Sequence, residues 1–234
     1  MKLHRFYIGS RLNRNIQHFG DERMWVQDEQ LRHQWERVLK FHVGEDVGLF
    51  DDDREFIYKI SDIKPDEISL EKVTETHPKK PDKEILLAWS LLKKDNNDLV
   101  LQKATELGAK RLVPIIAERS EKTGFDEKRA TRIVIEASEQ CGRADIPEID
   151  EPMSTVDCIG KYGHHYIFFA ADERSEKTPI DLSKPVGVLI GPEGGWTESE
   201  VKVFENHNVS QLHLGNFTLR AETAVIAALS QLLQ

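Results

Sequence analysis

The sequence predicts an α/β protein in two parts: a parallel sheet covered by helices over residues 84–234, preceded by a small β-barrel over residues 1–76. Three observations carry that prediction. Thr76-His-Pro-Lys-Lys-Pro-Asp-Lys83 contains two prolines, three lysines and no apolar residue, so it reads as an extended linker at 77–83. Beyond it, apolar runs alternate with helical stretches, the order that puts parallel strands beneath helices on both faces. Ahead of it, short apolar patches bounded by Gly and Asp have the length and alternation of strands.

In the first part, Arg5-Phe-Tyr-Ile8, Val47-Gly-Leu-Phe50, Glu55-Phe-Ile-Tyr-Lys-Ile60 and Ile68-Ser-Leu70 are the expected strands, with one helix near Asp28 to Phe41. The second part opens with Ile85-Leu-Leu-Ala-Trp-Ser-Leu-Leu92, apolar enough for a strand buried on both faces. A helix from about Asn97 to Leu107 follows, stopped by Gly108. Next come a strand at Arg111 to Ala117 and a helix from about Asp126 to Cys141, where Ala130, Ile133, Val134, Ala137 and Cys141 recur at helical spacing. His165 to Ala171 and Val186 to Ile190 read as strands, Glu198 to Asn206 as a helix, Gln211 to Leu214 as a strand and Ala221 to Leu233 as the closing helix.

Composition narrows the function. A hydrophobic content of 39% is ordinary for a globular protein, and no apolar run approaches the roughly 18 residues of a membrane span. The first residues alternate polar and apolar and do not form a signal-peptide core, so a cytoplasmic location is expected. Cys141 and Cys158 are too few and too far apart for a disulfide framework or a zinc site, so no metal is expected. Net charge is −9, yet residues 1–20 hold Lys2, Arg5, Arg11 and Arg14 with no acid, a +4 segment on a body of −13. Such a basic tip suits phosphate contacts; a solvated face is the plainer alternative.

The most informative stretch is Val186-Gly-Val-Leu-Ile-Gly-Pro-Glu-Gly-Gly-Trp-Thr-Glu-Ser-Glu200, a strand feeding a glycine-rich loop and then a helix opened by a Thr197/Glu200 capping box. Loops at the carboxyl ends of parallel strands are where α/β proteins bind ligands, and glycine lets backbone come close to one. The spacing is not that of a dinucleotide fingerprint, and the lysine of a P-loop is missing. Leu212-His-Leu-Gly-Asn-Phe-Thr-Leu-Arg-Ala-Glu-Thr-Ala224 repeats the plan of strand, loop and helix. Its Arg220 stands at a helix start, where the helix dipole disfavours a cation, so either an anionic ligand or a local pair with Glu222 is expected to hold it.

Lys103-Ala-Thr-Glu-Leu-Gly108, Glu118-Arg-Ser120, Glu136-Ala-Ser-Glu-Gln-Cys-Gly-Arg143, Ile190-Gly-Pro-Glu-Gly-Gly195 and Leu214-Gly-x-x-x-Leu-Arg-x-Glu-Thr-Ala224, taken in order, resemble the motif set of the RsmE family. Those proteins are SPOUT-superfamily methyltransferases that act on N3 of a uridine in 16S ribosomal RNA. The resemblance covers residues 85–234 and extends more weakly to an N-terminal PUA-like RNA-binding domain. It implies a trefoil knot from about Gly187 onward, a homodimer, and S-adenosylmethionine held by Leu189, Ile190, Gly191, Pro192, Glu193, Gly194 and Gly195 together with Leu214, Gly215, Asn216 and Leu219. This chain departs from the family at Asn216-Phe-Thr218, where an arginine and an isoleucine are usual, and at Lys40, where arginine is usual.

Methylation of a uracil nitrogen requires loss of the N3 proton and direct attack by the ring nitrogen, with no covalent enzyme intermediate. Cys141 is therefore expected to be a small core residue and not a nucleophile. Glu222 and Glu193 are the candidate proton acceptors, and Arg220 and Arg119 the candidates to offset charge developing on the uracil oxygens. For the RNA, Arg5, Arg11 and Arg14 are expected on phosphates, and Lys103, Arg119, Ser120 and Arg143, from the motifs, are further candidates for binding it. A non-catalytic RNA-binding or ribosome-assembly factor that keeps the fold is the competing reading.

Overall fold

The computed structural model describes residues 3–12, 15–171, 180–181 and 183–233. Contacts divide the chain into Met1–Lys80 together with Ser138–Asp145, and Pro81–Ala137 together with Ile146–Gln234. Arg14 lies outside the described residues, as does the side chain of Arg11.

In the first unit, β1 (His4–Tyr7), β2 (Ile16–Gln17), β3 (Arg23–Val26), β4 (Asp46–Phe50), β5 (Glu55–Lys64) and β6 (Glu67–Thr76) form one sheet in the order β1-β4-β5-β6-β3-β2. Only the β1–β4 pair is parallel. Register shifts between Ile57 and Tyr58 and between Ile60 and Asp62 interrupt the long β5–β6 ladder, and bulges of that kind bend a sheet. Its inner face buries Phe6, Met24 and Tyr58 against Leu31 and Trp35. Those last two come from α1 (Glu29–His33) and the wider π-helical turn Gln34–Val38 that extends it, so the expected helix near Asp28 to Phe41 is present. Asp28 starts it by accepting a hydrogen bond from the Leu31 amide at 2.9 Å. Lys40 ends it in the left-handed conformation, φ 56°, where glycine is usual.

The second unit is built on β7 (Ile85–Ser90), all six of whose residues are buried. It lies inside a seven-stranded sheet with β8 (Arg111–Ile116), β9 (Glu148–Ile149), β10 (Met153–Ser154), β11 (Ile167–Ala171), β12 (Val186–Ile190) and β13 (Ser210–Leu212). The order is β10-β8-β7-β12-β11-β13, with β9 also on β8, and every pairing is parallel. Alternation along β7 splits the core. Ile85, Leu87 and Trp89 face α2 (Lys94–Glu106), the first turns of α3 (Glu127–Cys141) and α6 (Ala221–Leu232). Leu86 and Ala88 face α4 (Thr155–Tyr162) and α5 (Glu198–Asn206). Both faces of the sheet are thus covered, as the apolar run at 85–90 requires.

Three details differ from the sequence reading. Helix α2 starts at Lys94 and not at Asn97, because the Asn97 side chain is spent on the turn before it. Its Oδ1 accepts from the Leu92 amide and the Trp89 indole, both at 3.0 Å, and its Nδ2 donates to the Leu92 carbonyl at 2.9 Å. Helix α4 was not anticipated. At eight residues it is too short for periodicity to stand out, although Ser154 caps it through the Asp157 amide. Cys141 is exposed and not a core residue, because α3 ends there and the apolar stripe of Ala130, Val134 and Ala137 stops a turn earlier. Cys158 is the buried thiol, its pKa pushed up to about 12 by burial, so it is no nucleophile either.

Candidate active site

The strands end along one edge of the parallel sheet, and β12 sits between β7 and β11 although it follows both in the chain. Loops that part at such a switch in strand order leave a crevice. Here the loops after β8, β12 and β13 enclose a cavity of about 580 Å³, inside the range of roughly 300–1,000 Å³ usual for small-molecule sites.

The loop after β12 is held in shape by its own residues. The Gly195 amide donates to the Pro192 carbonyl at 2.8 Å, and Gly195 has φ 69°, a turn that side chains resist. At Gly191 a Cβ would lie 2.9 Å from the Trp196 indole, so the ring packs directly on backbone. Trp196 in turn meets Phe204 of α5 edge-on at 5.1 Å. The expected capping box is present: the Thr197 hydroxyl accepts from the Glu200 amide, and the Glu200 carboxylate accepts from the Thr197 amide at 3.0 Å.

Glu200 does more than cap. Only 3% exposed, it also accepts from the Glu118 amide at 3.2 Å and the Thr155 hydroxyl at 3.1 Å, joining the ends of β8 and β10 to the start of α5. Glu118 returns the link, since its carboxylate accepts from the hydroxyls of Thr197 at 2.9 Å and Ser199 at 2.8 Å. Between them Arg119 is aimed at the glycine loop and donates to the Gly194 carbonyl at 2.8 Å. Ser120 closes its own turn by accepting from the Ala117 amide at 3.0 Å.

Of the expected cofactor residues, Ile190, Gly191, Pro192, Glu193, Gly194 and Gly195 line the cavity, as do Leu214, Gly215 and Leu219. Leu189 does not, because strand alternation turns it into the core beneath α4 and α5. In the last loop Asn216 is replaced on the wall by Phe217 and Thr218. Trp196, Ala171 and Val201 also line the cavity and were not anticipated. Ile190, Leu214 and Leu219 give it apolar walls beside glycine-loop backbone, which suits a flat ring carrying polar ends.

The candidate catalytic residues separate. Arg119, Glu193 and Arg220 line the cavity. Arg220 occupies the position just before α6 with no side-chain cap, and among the described residues its guanidinium meets no carboxylate. The local Arg220–Glu222 pair considered from sequence is absent. Glu222 is not part of the lining; it accepts from the Asn96 amide group of α2 at 3.5 Å.

Two residues expected at the RNA are drawn inward. Arg5 is internal, its side chain 12% exposed, bonded to both oxygens of Glu55 at 2.7 and 3.0 Å and packed on the Phe50 ring at 4.5 Å. It also donates to the carbonyls of Ser138 and Arg143. Arg143 is buried, and its guanidinium forks onto Asp145 at 3.0 and 2.6 Å. In both cases a neighbouring acid removes the free charge that composition alone counted. Lys103 stays partly exposed and pairs with Glu106 at 2.9 Å along its own helix.

Comparison with known proteins adds to this geometry. The family model described as "RNA methyltransferase domain" matches residues 78–233. Two proteins called ribosomal RNA small subunit methyltransferase E are similar in sequence. The one from Rickettsia conorii is 29% identical over 99% of this chain and 95% of its own length; the one from Aquifex aeolicus is 32% identical over 84% and 89%. The protein of that name from Neisseria gonorrhoeae, solved with S-adenosyl methionine bound, superposes with a TM-score of 0.84 at 26% identity, covering 98% of this chain and 96% of its own. A methyltransferase from Legionella pneumophila, also solved with its cofactor, gives 0.83 at 27% identity over 99% and 97%.

Proposed function

This chain belongs to the RNA methyltransferase family that includes ribosomal RNA small subunit methyltransferase E, and from that premise we propose that it methylates N3 of a specific uridine in 16S ribosomal RNA. It is an S-adenosylmethionine-dependent ribosomal RNA methyltransferase. The observation that carries the reading is the cavity itself. Both loops of the resemblance, 190–195 and 214–220, close on one space at the carboxyl edge of the sheet, with Arg119, Arg220 and Glu193 on its walls.

Bound there, the cofactor supplies an electrophilic methyl group. The protein's part is to take one proton and offset charge. Glu193 is assigned the N3 proton in preference to Glu222, which is outside the lining and held by Asn96. As the proton leaves, negative charge spreads onto the uracil oxygens, and a fixed guanidinium beside them lowers the barrier. Arg220, free of carboxylates, is assigned that role, while Arg119 keeps the glycine loop in place through Gly194. Glu193→Gln is expected to lower turnover by about 10²–10⁴-fold with cofactor affinity nearly unchanged, measured by single-turnover methyl transfer and calorimetry. Full activity in that variant would remove Glu193 as the base.

The finer architecture is read in the same way. A trefoil knot is supported by the late insertion of β12 between β7 and β11 and by the return of α6 from the edge strand β13 to pack on α2 and β12. A PUA-like, RNA-binding character for the first unit is supported by its bulged six-stranded sheet around α1. A homodimer rests on the motif resemblance and a cytoplasmic location on the sequence pattern of the first residues; among the described residues no helix is long and apolar enough to cross a membrane.

The test is direct. Purified protein is titrated with S-adenosylmethionine and then incubated with small subunits or 16S RNA from cells lacking the modification, and nucleosides are separated for 3-methyluridine. Appearance of that nucleoside supports the assignment. Cofactor binding with methylation of a different atom would keep the enzyme and overturn the N3 assignment.

A further inference from the structure

Phe217 is the largest exposed hydrophobic side chain among the described residues, 83% open to solvent, and it stands on the wall of the cavity. An aromatic ring left in water forgoes the burial that dominates its energetics, and at the mouth of a site, among other groups that line it, such a ring offers a face for a partner to cover. Val201, 38% exposed on the first turns of α5, adds a second apolar group to the same lining. Arg119 and Arg220 add two guanidiniums that meet no carboxylate among the described residues, in a chain whose net charge is −9. An open ring beside positive charge is complementary to a flat, electron-rich group attached to phosphates.

We propose that Phe217 is the stacking platform for the target base, taking over the stacking that the base gives up when it turns out of the RNA to reach the cavity. The inference rests on the RNA methyltransferase reading and deepens it. A base reacting at a ring nitrogen must leave its stack, and an aromatic side chain replaces the lost contact whatever the sequence around it. Enclosed apolar walls at Ile190, Leu214 and Leu219 serve the cofactor, whereas a ring so open has most of its surface available to something arriving from solvent. The loop that presents it leaves β13 through Gly215, φ 134°, a conformation that favours glycine. Phe217 thus sets the plane of the base, and Arg220 offsets its charge once the N3 proton has gone.

The test uses the full-length protein and compares wild type with Phe217→Ala, Phe217→Leu and Phe217→Trp. Each is scored by calorimetric titration with S-adenosylmethionine, by sedimentation, and by kcat and KM for methylation of unmodified small-subunit RNA. In the Ala variant, kcat/KM for RNA is expected to fall roughly 10- to 100-fold, the range that loss of one base–aromatic stack produces. Cofactor affinity and oligomeric state should not change. Leu should recover little and Trp most of the loss, and on adding RNA the Trp variant should show fluorescence quenching in excess of that given by the wild-type tryptophans, Trp196 among them. Weakened cofactor binding in the Ala variant would make Phe217 a wall of the cofactor pocket and overturn the proposal. An altered sedimentation profile would make it a contact between copies, and unchanged RNA kinetics would show that the ring meets no base. Failure of wild type to methylate the RNA would instead bring down the activity on which the inference rests.

Discussion

Arg5 shows how far a residue's role depends on its neighbours. Counted as charge it belongs to a basic tip, but its guanidinium is forked onto Glu55 and roofed by Phe50. Removing Arg5 leaves Glu55, only 7% exposed, without its counterion, at a cost somewhat below the roughly 3–5 kcal/mol of a fully buried pair. Arg5→Ala should therefore lower the urea midpoint strongly and leave the salt dependence of RNA binding as it is; a flattened salt slope at unchanged stability would restore the phosphate role. Glu200 is the converse case. Sequence reading found it as a helix cap, and the fold also places on it the Glu118 amide and the Thr155 hydroxyl. Glu200→Ala orphans several buried donors, each worth about 1–3 kcal/mol. Unfolding free energy should drop by several kcal/mol, and calorimetry should show weaker cofactor binding as the Arg119 and Gly194 segments separate. An intact affinity would mean that the loops hold their shape without it.

At the scale of elements, the joins between strands and helices carry much of the specificity. Asn97 satisfies three polar groups at the turn from β7 into α2 while only 8% exposed. Asn97→Ala should cost about 2–4 kcal/mol in denaturant unfolding, because the Trp89 indole and both Leu92 backbone groups lose their partner. Asp150 plays a similar part between β8 and α4, accepting from Arg111 at 2.7 Å, Lys161 at 3.1 Å and the Tyr162 hydroxyl. Burial by itself would raise its pKa, but the hydrogen bonds from Tyr162 and Lys161 and the charge of Arg111 outweigh that and hold it below the usual carboxylate value. A depressed carboxylate contributes stability that is complete above its unfolded pKa, about 3.9, and is lost as pH falls through the folded value. Acid unfolding followed by circular dichroism should accordingly be less steep below about pH 4 in Asp150→Asn, and an identical slope would exclude this group. Most elements were legible because they are long and periodic: β7, β8, β12, α3, α5 and α6 lie within a few residues of expectation. The short pieces, β9, β10 and α4, were not, since two to eight residues give periodicity nothing to repeat.

For the whole molecule, the division into units does not follow the linker alone. Ser138–Asp145, at the far end of α3, is packed with Met1–Lys80. There the Tyr7 amide donates to Glu139 at 2.9 Å and the Ala144 amide to the Lys79 carbonyl at 2.8 Å. A chain of residues 81–234 would lose these partners along with those of Arg5. We expect it to melt roughly 5–10 °C below the full protein, about 2–3 kcal/mol for a domain of that size, and still to bind cofactor, because the described residues that line the cavity all belong to the second unit. Differential scanning calorimetry with and without S-adenosylmethionine would decide it; loss of binding would show that the loops depend on the first unit. By itself the sequence determined the parallel sheet and the family, and it singled out the two glycine-bearing loops that line one cavity, because periodicity, glycine spacing and ordered motifs are local and survive without coordinates. Only the tertiary structure decided which carboxylate lines the cavity, that Phe217 and not Asn216 forms its rim, and that Arg5 and Arg143 are internal. The physical reason is that exposure and partners are set largely by residues tens of positions away, as between Arg5 and Glu55 or Arg119 and Gly194, and no spacing along the chain encodes them.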